Sequence, residues 1–388
     1  MNEPLVSICI PTHNRFEGLR QSLDCFTKQT YKNLEILVSD NFSSHDPSAM
    51  VREYAKEDGR IRYYRQSQNI GMTLNGHFLW TRATGQYFVL GSDDDWWSPD
   101  FVSELVELLQ KESGAVCAFC DFEEIDIHGK KIISTMRFAK TLERFGMNVR
   151  TYPDHLPLLM EFSNRNTEGR LLSFILQKEY DGKANVHRSL CDRQVFLESI
   201  AQLRSLDLEE CWAFDQLLAF TILTRGHLAL SQQVLFKCTV GNQKSYKSPR
   251  SRLRYLDGYV RIMSSCLGPK EFDTLKRAVN YRYLDWRVGF FQEYLKLLIV
   301  FLSKRLLTKE NSHSSRLEQL RSLLKTGDHN SVVLSTQQSF NKRVDLAPSP
   351  LPDDAIRKYM IGSWRKLVLA IEILRIVIFA VRNPHPHA

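Results

Sequence analysis

The chain has 388 residues, 43% of them hydrophobic and 25% charged, an ordinary globular composition with room for two domains, or for one α/β domain carrying a helical extension. Its net charge of +8 is unevenly spread: residues 1–243 hold 26 basic and 32 acidic groups, net −6, and residues 244–388 hold 26 and 12, net +14. A basic tail points to an anionic contact, and with no zinc-finger or RNA-binding aromatic signature beside the charge, nucleic acid gives way to a membrane surface.

Leu5-Val6-Ser7-Ile8-Cys9-Ile10 reads as a strand closed by Pro11. It is too short, and lacks the basic flank, for a signal peptide, so a reduced cytoplasmic setting is expected. Leu19, Leu23 and Phe26 follow at helical spacing, and residues 34–38 form a second strand. A helix is predicted from Pro47 to Lys56 with Asp46 as its N-cap. Residues 61–64 form a third strand, Thr73 to Ala83 a helix, residues 87–90 a fourth strand, and Ser98-Pro99 opens a helix through Leu109. Cys117 and Cys120 make the one CxxC; without a second Cys or His pair it reads as an apolar strand rather than a zinc or redox site. Residues 126–205 carry few signals. A helix is expected from Leu208 to Thr224 and a strand from His227 to Val234, and the chain reads as helices after 250, with loops near 311–315, 327–330 and 348–352.

Alternation of this kind predicts an α/β fold, a mostly parallel sheet with helices on both faces. Ligands of such sheets bind beyond the carboxyl ends of the strands, at the switch point. There the chain is polar: Pro11-Thr12-His13-Asn14-Arg15 after strand one, Ser39-Asp40-Asn41 after strand two, Asn69-Ile70-Gly71 after strand three, and Ser92-Asp93-Asp94-Asp95-Trp96-Trp97 after strand four. Three adjacent carboxylates repel one another. Mg²⁺, which takes one or two carboxylates plus phosphate oxygens, or Mn²⁺ would relieve them; a solvated turn capping the next helix is the plainer alternative. Asn69 and Gly71 also suit a turn, Gly71 supplying a positive φ, and a loop histidine such as His13 is more often structural than functional.

Together with Gly85 to Pro99, these segments resemble family 2 glycosyltransferases of the GT-A fold over residues 4–125. The resemblance implies an inverting transfer from a nucleotide-activated sugar, UDP being the family's commonest carrier. It implies that Asp40 lies at the nucleobase, that Pro11, Thr12, Asn14, Arg15, Asn69 and Gly71 line the donor nucleotide with Asp93 and Asp94, and that Asp93 and Asp95 are the DXD ends holding ribose and metal. The family more often shows Asp-x-Asp-Asp here, and Ser92 could fill the first place, which leaves open which two aspartates are ligands. Asn41 stands where a second acid is common.

Inversion needs a base for the acceptor hydroxyl. Trp212-Ala213-Phe214-Asp215-Gln216-Leu217-Leu218 matches the family's base site, with Phe214 in place of the usual Glu, and marks Asp215 as the base; Glu209 and Glu210 are the substitutes. Gly241 to Ser245 resembles an acceptor-side loop, from which Lys244 or Lys247 could touch the diphosphate, although a surface role is the simpler reading.

In the tail, 288–307 and 364–382 are apolar but interrupted by charge, too short to span a bilayer. They suit helices lying in the membrane interface, or helices packed together or in a homo-oligomer. The expected plan is a GT-A catalytic domain at 1–245, with a donor half (1–125) and an acceptor half (126–245), followed by a basic helical extension at 246–388. The expected acceptor is a glycan or a lipid-linked sugar, in surface polysaccharide assembly at the inner face of the cell membrane. Two alternatives stand beside this: a sugar nucleotidyltransferase, which wants a glycine-rich loop where Pro11-Thr12-His13-Asn14 has none, and a non-catalytic scaffold, against which the retained acids argue.

Overall fold

A computed structural model describes residues 3–131, 159–177, 182–209, 213–239 and 249–280. They belong almost wholly to one compact unit, formed by 1–134 and 152–279. The second unit, 135–151 with 280–388, lies almost wholly outside the described residues, and with it the two apolar basic segments at 288–307 and 364–382.

Strand β1 (Val6–Thr12) buries Val6, Ile8, Cys9 and Ile10 on both faces, and β2 (Leu34–Asp40) is buried along its whole length. Near-continuous burial is the mark of a parallel sheet covered on both sides. β1 pairs in parallel with β2 from Val6↔Leu34 to Thr12↔Asp40, and with β4 (Tyr87–Leu90) from Val6↔Tyr87 to Cys9↔Leu90; β2 pairs in parallel with β3 (Ile61–Arg65). β1 runs on through Pro11 rather than stopping there. Past Cys9 only β2 pairs with it, and a proline without an N–H is tolerated where a ladder has one side. The chain leaves β1 toward β2 and β3 and returns to β4 on the other side, so the switch point lies between β1 and β4.

Helices α1 (Phe16–Thr27), α2 (Ser48–Glu57) and α3 (Met72–Trp80) link these strands, and α4 (Phe101–Lys111) follows them. α1 buries Leu19, Leu23 and Phe26, and α4 buries Phe101, Leu105 and Leu109, the i, i+4, i+7 or i+8 spacing of one apolar stripe. Asp46 takes the backbone N–H of Ser48 at 2.8 Å, one position ahead of Pro47, which holds the N-cap place itself.

The sheet has eight strands in the order β3-β2-β1-β4-β7-β6-β8-β5. β6 (Ala115–Ile125) holds Cys117 and Cys120, both buried and free. Positions three apart on a strand face opposite sides, so this CxxC does not aim at a single ion. β7 (Leu190–Asp192) wedges antiparallel between β4 and β6, an element that the weakly patterned 126–205 stretch did not announce. α5 (Thr167–Leu176) and α6 (Arg193–Ser205) are capped by Asn166 and Asp192, the short side chains that accept orphan helix N–H groups.

The helix expected from Leu208 begins only with α7 (Phe214–Arg225). Asp207 takes φ 52°, and the N–H of Leu208 returns to the carbonyl of Leu203, so Leu208 closes α6 rather than opening α7. β8 (His227–Thr239) runs five residues beyond the expected strand because β6 pairs with it in parallel as far as Thr239 and β5 (Trp96–Trp97) pairs with it antiparallel. α8 (Pro249–Cys266) lays the fully buried Tyr259 against Phe174 of α5 and Phe220 of α7. No helix among the described residues is long and apolar enough to cross a membrane.

Candidate active site

Four polar segments meet at the carboxyl edge of β1, β2 and β4. The Thr12 hydroxyl donates to Asp93 Oδ2 at 2.8 Å. Arg15 is paired with Asp94, its Nε 3.9 Å from Asp93 Oδ1. Asn14 turns left-handed (φ 55°), receives Ser44 N–H on its Oδ1 at 2.8 Å and gives its own N–H to Ser43 Oγ at 2.8 Å. Those contacts tie the loop after β1 to the loop after β2.

Asp40 is fully buried, and its carboxylate is in use: Oδ1 accepts from Ser43 N at 3.1 Å and from the Ser43 hydroxyl, and Oδ2 pairs with Arg65. A nucleobase that meets Asp40 must share or displace these partners. Phe42 follows with φ 61° and half its surface exposed, under the Arg65 guanidinium 5.4 Å away. A bulky residue in the left-handed region is a true outlier, and such strain gathers at functional loops. Asn41 bridges to the loop after β3 through Asn69 Oδ1 (2.9 Å) and Ile70 N (2.8 Å), and Gly71 takes the positive φ, 85°.

The acidic triplet divides its carboxylates. Asp93 and Asp94 are part-exposed, 13% and 29%, and share Arg15. Asp95 is 1% exposed and points inward. Its Oδ1 accepts from Thr239 N at 2.8 Å; its Oδ2 takes the Ser92 hydroxyl and lies 2.8 Å from Arg188 Nε. The Arg188 N–H is not aimed along that line, so the contact is an ion pair rather than an aligned hydrogen bond. Asp93 and Asp95 thus face different neighbours. Burial pushes the Asp93 carboxyl up to about 6, with Asp94 adding to the effect and Thr12 and Arg15 opposing it. Burial also raises Asp95 against the pull of Arg188. Desolvation alone would weaken the Arg188 charge, but the Asp95 carboxylate, with Asp94 and Asp215 behind it, more than offsets this.

Two adjacent, part-exposed carboxylates of which one is pushed toward protonation fit a hard divalent cation that takes one or two carboxylates and completes its shell with phosphate and water oxygens. No cluster of three or more His, Cys, Asp or Glu side chains poised for a metal occurs among the described residues, so Asp93 and Asp94 would hold such an ion only together with a ligand's own oxygens.

Asp215 lies in the first turn of α7, its Oδ1 accepting the N–H of Gln216 at 2.9 Å. It reaches the triplet electrostatically through Arg188, on which Asp94, Asp95 and Asp215 all act. Glu209 is 15% exposed, paired with His77 of α3 and 3.6 Å from Arg204. Glu210, Lys244 and Lys247 lie outside the described residues.

Residues 7–166 match the family model described as glycosyl transferase family 2. This stretch is a family 2 glycosyltransferase domain. Over 124 residues the chain is 32% identical to an uncharacterized glycosyltransferase of Rickettsia typhi, covering 32% of this chain and 38% of that protein. Over 93 residues it is 34% identical to the GalNAc(5)-diNAcBac-PP-undecaprenol beta-1,3-glucosyltransferase of Campylobacter jejuni, covering 24% and 30%. The chain thus spans about a third of the length of these curated relatives. The crystal structure of S. aureus TarS 1-349 superposes with a TM-score of 0.51 at 15% identity, covering 99% of this chain and 93% of that one, a likeness of fold and the GT-A architecture expected from the sequence.

Several residues that organise the glycosyltransferase domain's crevice escaped sequence reading. Arg188 ends a short 3-10 helix (Lys183–Arg188) in the stretch with few signals. Ser22 and Gln21 of α1 donate to the carbonyls of Ser92 (2.6 Å) and Asp95 (3.1 Å). Gly18 of α1 lies so close to the triplet that a Cβ there would stand 1.9 Å from the Asp93 carbonyl oxygen. Gly18 alone left a trace, since an isolated glycine within a helical pattern signals close packing.

Proposed function

We propose that the chain transfers a sugar, with inversion, from a nucleoside-diphosphate sugar to a hydroxyl of a glycan or lipid-linked acceptor. The observation that carries this reading is the grouping of Asp94, Asp95 and Asp215 around Arg188, beyond the carboxyl ends of β1 and β4, in a family 2 domain. The donor's diphosphate is assigned to Thr12, Arg15, Asp93 and Asp94, its nucleoside to the loops carrying Pro11, Asn14, Asp40, Asn69 and Gly71. A Mg²⁺ or Mn²⁺ ion held by Asp93 and Asp94 would supply positive charge to the departing diphosphate. Asp95 is assigned to fixing the loop through Arg188 and Thr239.

The acceptor oxygen attacks the anomeric carbon from the face opposite the diphosphate. The bond from that carbon to the diphosphate oxygen breaks, the oxygen keeps the electron pair, and the Asp215 carboxylate takes the hydroxyl proton. Asp215 sits in the first turn of α7, where its charge acts on Arg188 beside the triplet. The name of the Campylobacter relative, with its undecaprenyl-diphosphate-linked substrate, supports a lipid-linked acceptor, and a tail of net charge +14 suits an anionic bilayer. UDP is the first carrier to test.

The test is nucleoside diphosphate release from UDP-, dTDP- and GDP-sugars with and without Mn²⁺, with the product anomer read by NMR. Asp215→Asn should keep donor KM and lower kcat by about 10²–10⁴-fold. Full activity in both Asp94→Asn and Asp215→Asn would sink the site assignment, and pyrophosphate release instead of nucleoside diphosphate would favour a nucleotidyltransferase.

A further inference from the structure

Arg188 is fixed in place from several sides. It ends the 3-10 helix Lys183–Arg188, whose fully buried Lys183 gives its Nζ to the carbonyls of Phe174 at 2.9 Å and Gln177 at 2.8 Å. Ser189 then returns its N–H to the carbonyl of Val186 at 3.1 Å, and the chain enters β7 between β4 and β6. The guanidinium itself has three neighbours. Nε lies 2.8 Å from Asp95 Oδ2, Nη1 donates to Asn185 Oδ1 at 3.1 Å, and the central carbon stands 5.8 Å from the centre of the Phe236 ring.

Nη2 is left over. It makes no hydrogen bond among the described residues and, unlike Nε, is not closed off from solvent; the side chain as a whole keeps 18% exposure. Holding Asp95 occupies one edge of the fork, a task that a single point charge could perform. The planar guanidinium presents further N–H groups in another direction. The charges of Asp94 and Asp215 reach Arg188 along with that of Asp95. In the proposed transfer Asp94 serves the diphosphate and Asp215 the acceptor, so Arg188 neighbours both ends of the reaction. What lies between a departing diphosphate and an attacking hydroxyl is the sugar.

On the reading of the crevice as a donor site, we propose that Arg188 is a specificity-determining residue whose free Nη2 donates to a hydroxyl oxygen of the sugar being transferred. One side chain then has two tasks: Nε holds Asp95, and Nη2 reads the donor sugar. A sugar that lacks this hydroxyl, or carries it on the other face of the ring, leaves the N–H without an acceptor. Sites built to hydrogen-bond a hydroxyl reject such analogues strongly. Because the guanidinium is already anchored, little of its freedom is lost when the sugar arrives. The inward turn of Asp95 gains a purpose as well: it fixes the group that meets the substrate.

Arg188→Lys tests this, because lysine keeps a cation for Asp95 and has no second edge. UDP, dTDP and GDP are first titrated into the full chain by calorimetry with Mg²⁺ or Mn²⁺. The nucleotide that binds most tightly is then compared with its hexose and N-acetylhexosamine conjugates. Arg188→Lys should bind the bare nucleotide as the parent does, and should bind the conjugate that the parent prefers about 3- to 10-fold more weakly. Its affinities for the different conjugates should also draw together. Unchanged affinity for the preferred conjugate refutes the contact. So does an equal loss for nucleotide and conjugate, which would place the contact at the diphosphate. Thermal unfolding checks that the ion pair with Asp95 survives the exchange. If Arg188→Lys unfolds, Asp95→Asn/Arg188→Gln is measured against Asp95→Asn. The double variant leaves no charge at that pair, and the same selective loss of the conjugate is expected; its absence refutes the role. If none of the three nucleotides binds the parent, the donor-site reading fails and the proposal falls with it. Nucleotide binding without the sugar effect sinks the proposal alone.

Discussion

Replacing Gly18 with alanine sets two opposed effects against each other. Alanine favours helix over glycine by up to about 1 kcal/mol, and on α1 that alone would stabilise the domain. The added Cβ, however, would stand 1.9 Å from the carbonyl oxygen of Asp93 and 3.1 Å from its carbonyl carbon. A carbon and a carbonyl oxygen rest at roughly 3.3 Å, so the two chains must part by about 1.4 Å. Both partners are backbone, and no side chain can swing aside. Overpacking of this order costs about 1–3 kcal/mol, so the clash outweighs the propensity and Gly18→Ala is expected to lose about 1–2 kcal/mol net. At the scaling for a domain of this size, Tm falls by about 2–8 °C. The displacement falls on the Asp93–Asp94 backbone, so metal-dependent nucleotide binding and turnover should drop more than stability does. Thermal unfolding and nucleoside diphosphate release on the same preparations provide the check. Gly59→Ala, with nothing within 4 Å of the added Cβ, is the control and should stay close to the parent. A Gly18→Ala protein as stable and as active as the parent would refute the reasoning, and with it the close approach of α1 to the triplet.

The triplet should divide by position. Asp94→Asn is expected to fold normally and to lose metal-dependent turnover. Asp95→Asn breaks a buried pair with Arg188 and should cost about 3–5 kcal/mol in chemical denaturation; equal stability of the two variants would contradict their different burial. Glu35 provides a pH signature. Its buried carboxylate takes the Ser7 hydroxyl at 2.5 Å and the N–H and hydroxyl of Thr84 at 2.6 and 2.8 Å. Burial pushes against its ionisation, yet these hydrogen bonds and Arg62 more than offset it and leave the carboxyl below its usual value. A folded-state pKa below the unfolded one stabilises the protein above the unfolded value, about 4.3, and that stability is lost as pH falls through the folded value. Denaturation series from about pH 7 down to about pH 3 should therefore show a steeper acid loss in the parent than in Glu35→Gln; parallel curves would dismiss the contribution.

Residues 1–125 were largely legible because their signals are local. β1, β2 and β4 are largely apolar runs closed by turn residues, and Leu19, Leu23 and Phe26 mark the buried stripe of α1 within about two turns of one another. Residues 126–245 were less so. Leu208 looks helical by pattern and is in fact the residue that closes α6, because a left-handed Asp207 reverses the chain before it. β7 has three residues, too few for any periodicity, and exists only because β4 and β6 stand on either side of it.

By itself the sequence determined the family 2 resemblance, the parallel strands of the first 125 residues and the placing of three aspartates beyond a buried strand, since each depends on neighbours within about ten positions. The tertiary structure alone decided how the triplet is divided. Asp95 is turned inward by an N–H 144 positions away on β8 and by Arg188, from a stretch with no readable pattern, while Asp93 and Asp94 keep their carboxylates toward Arg15. Three identical side chains in a row are equivalent in a sequence. Burial, charge partners and one close-packed glycine from distant segments make them different.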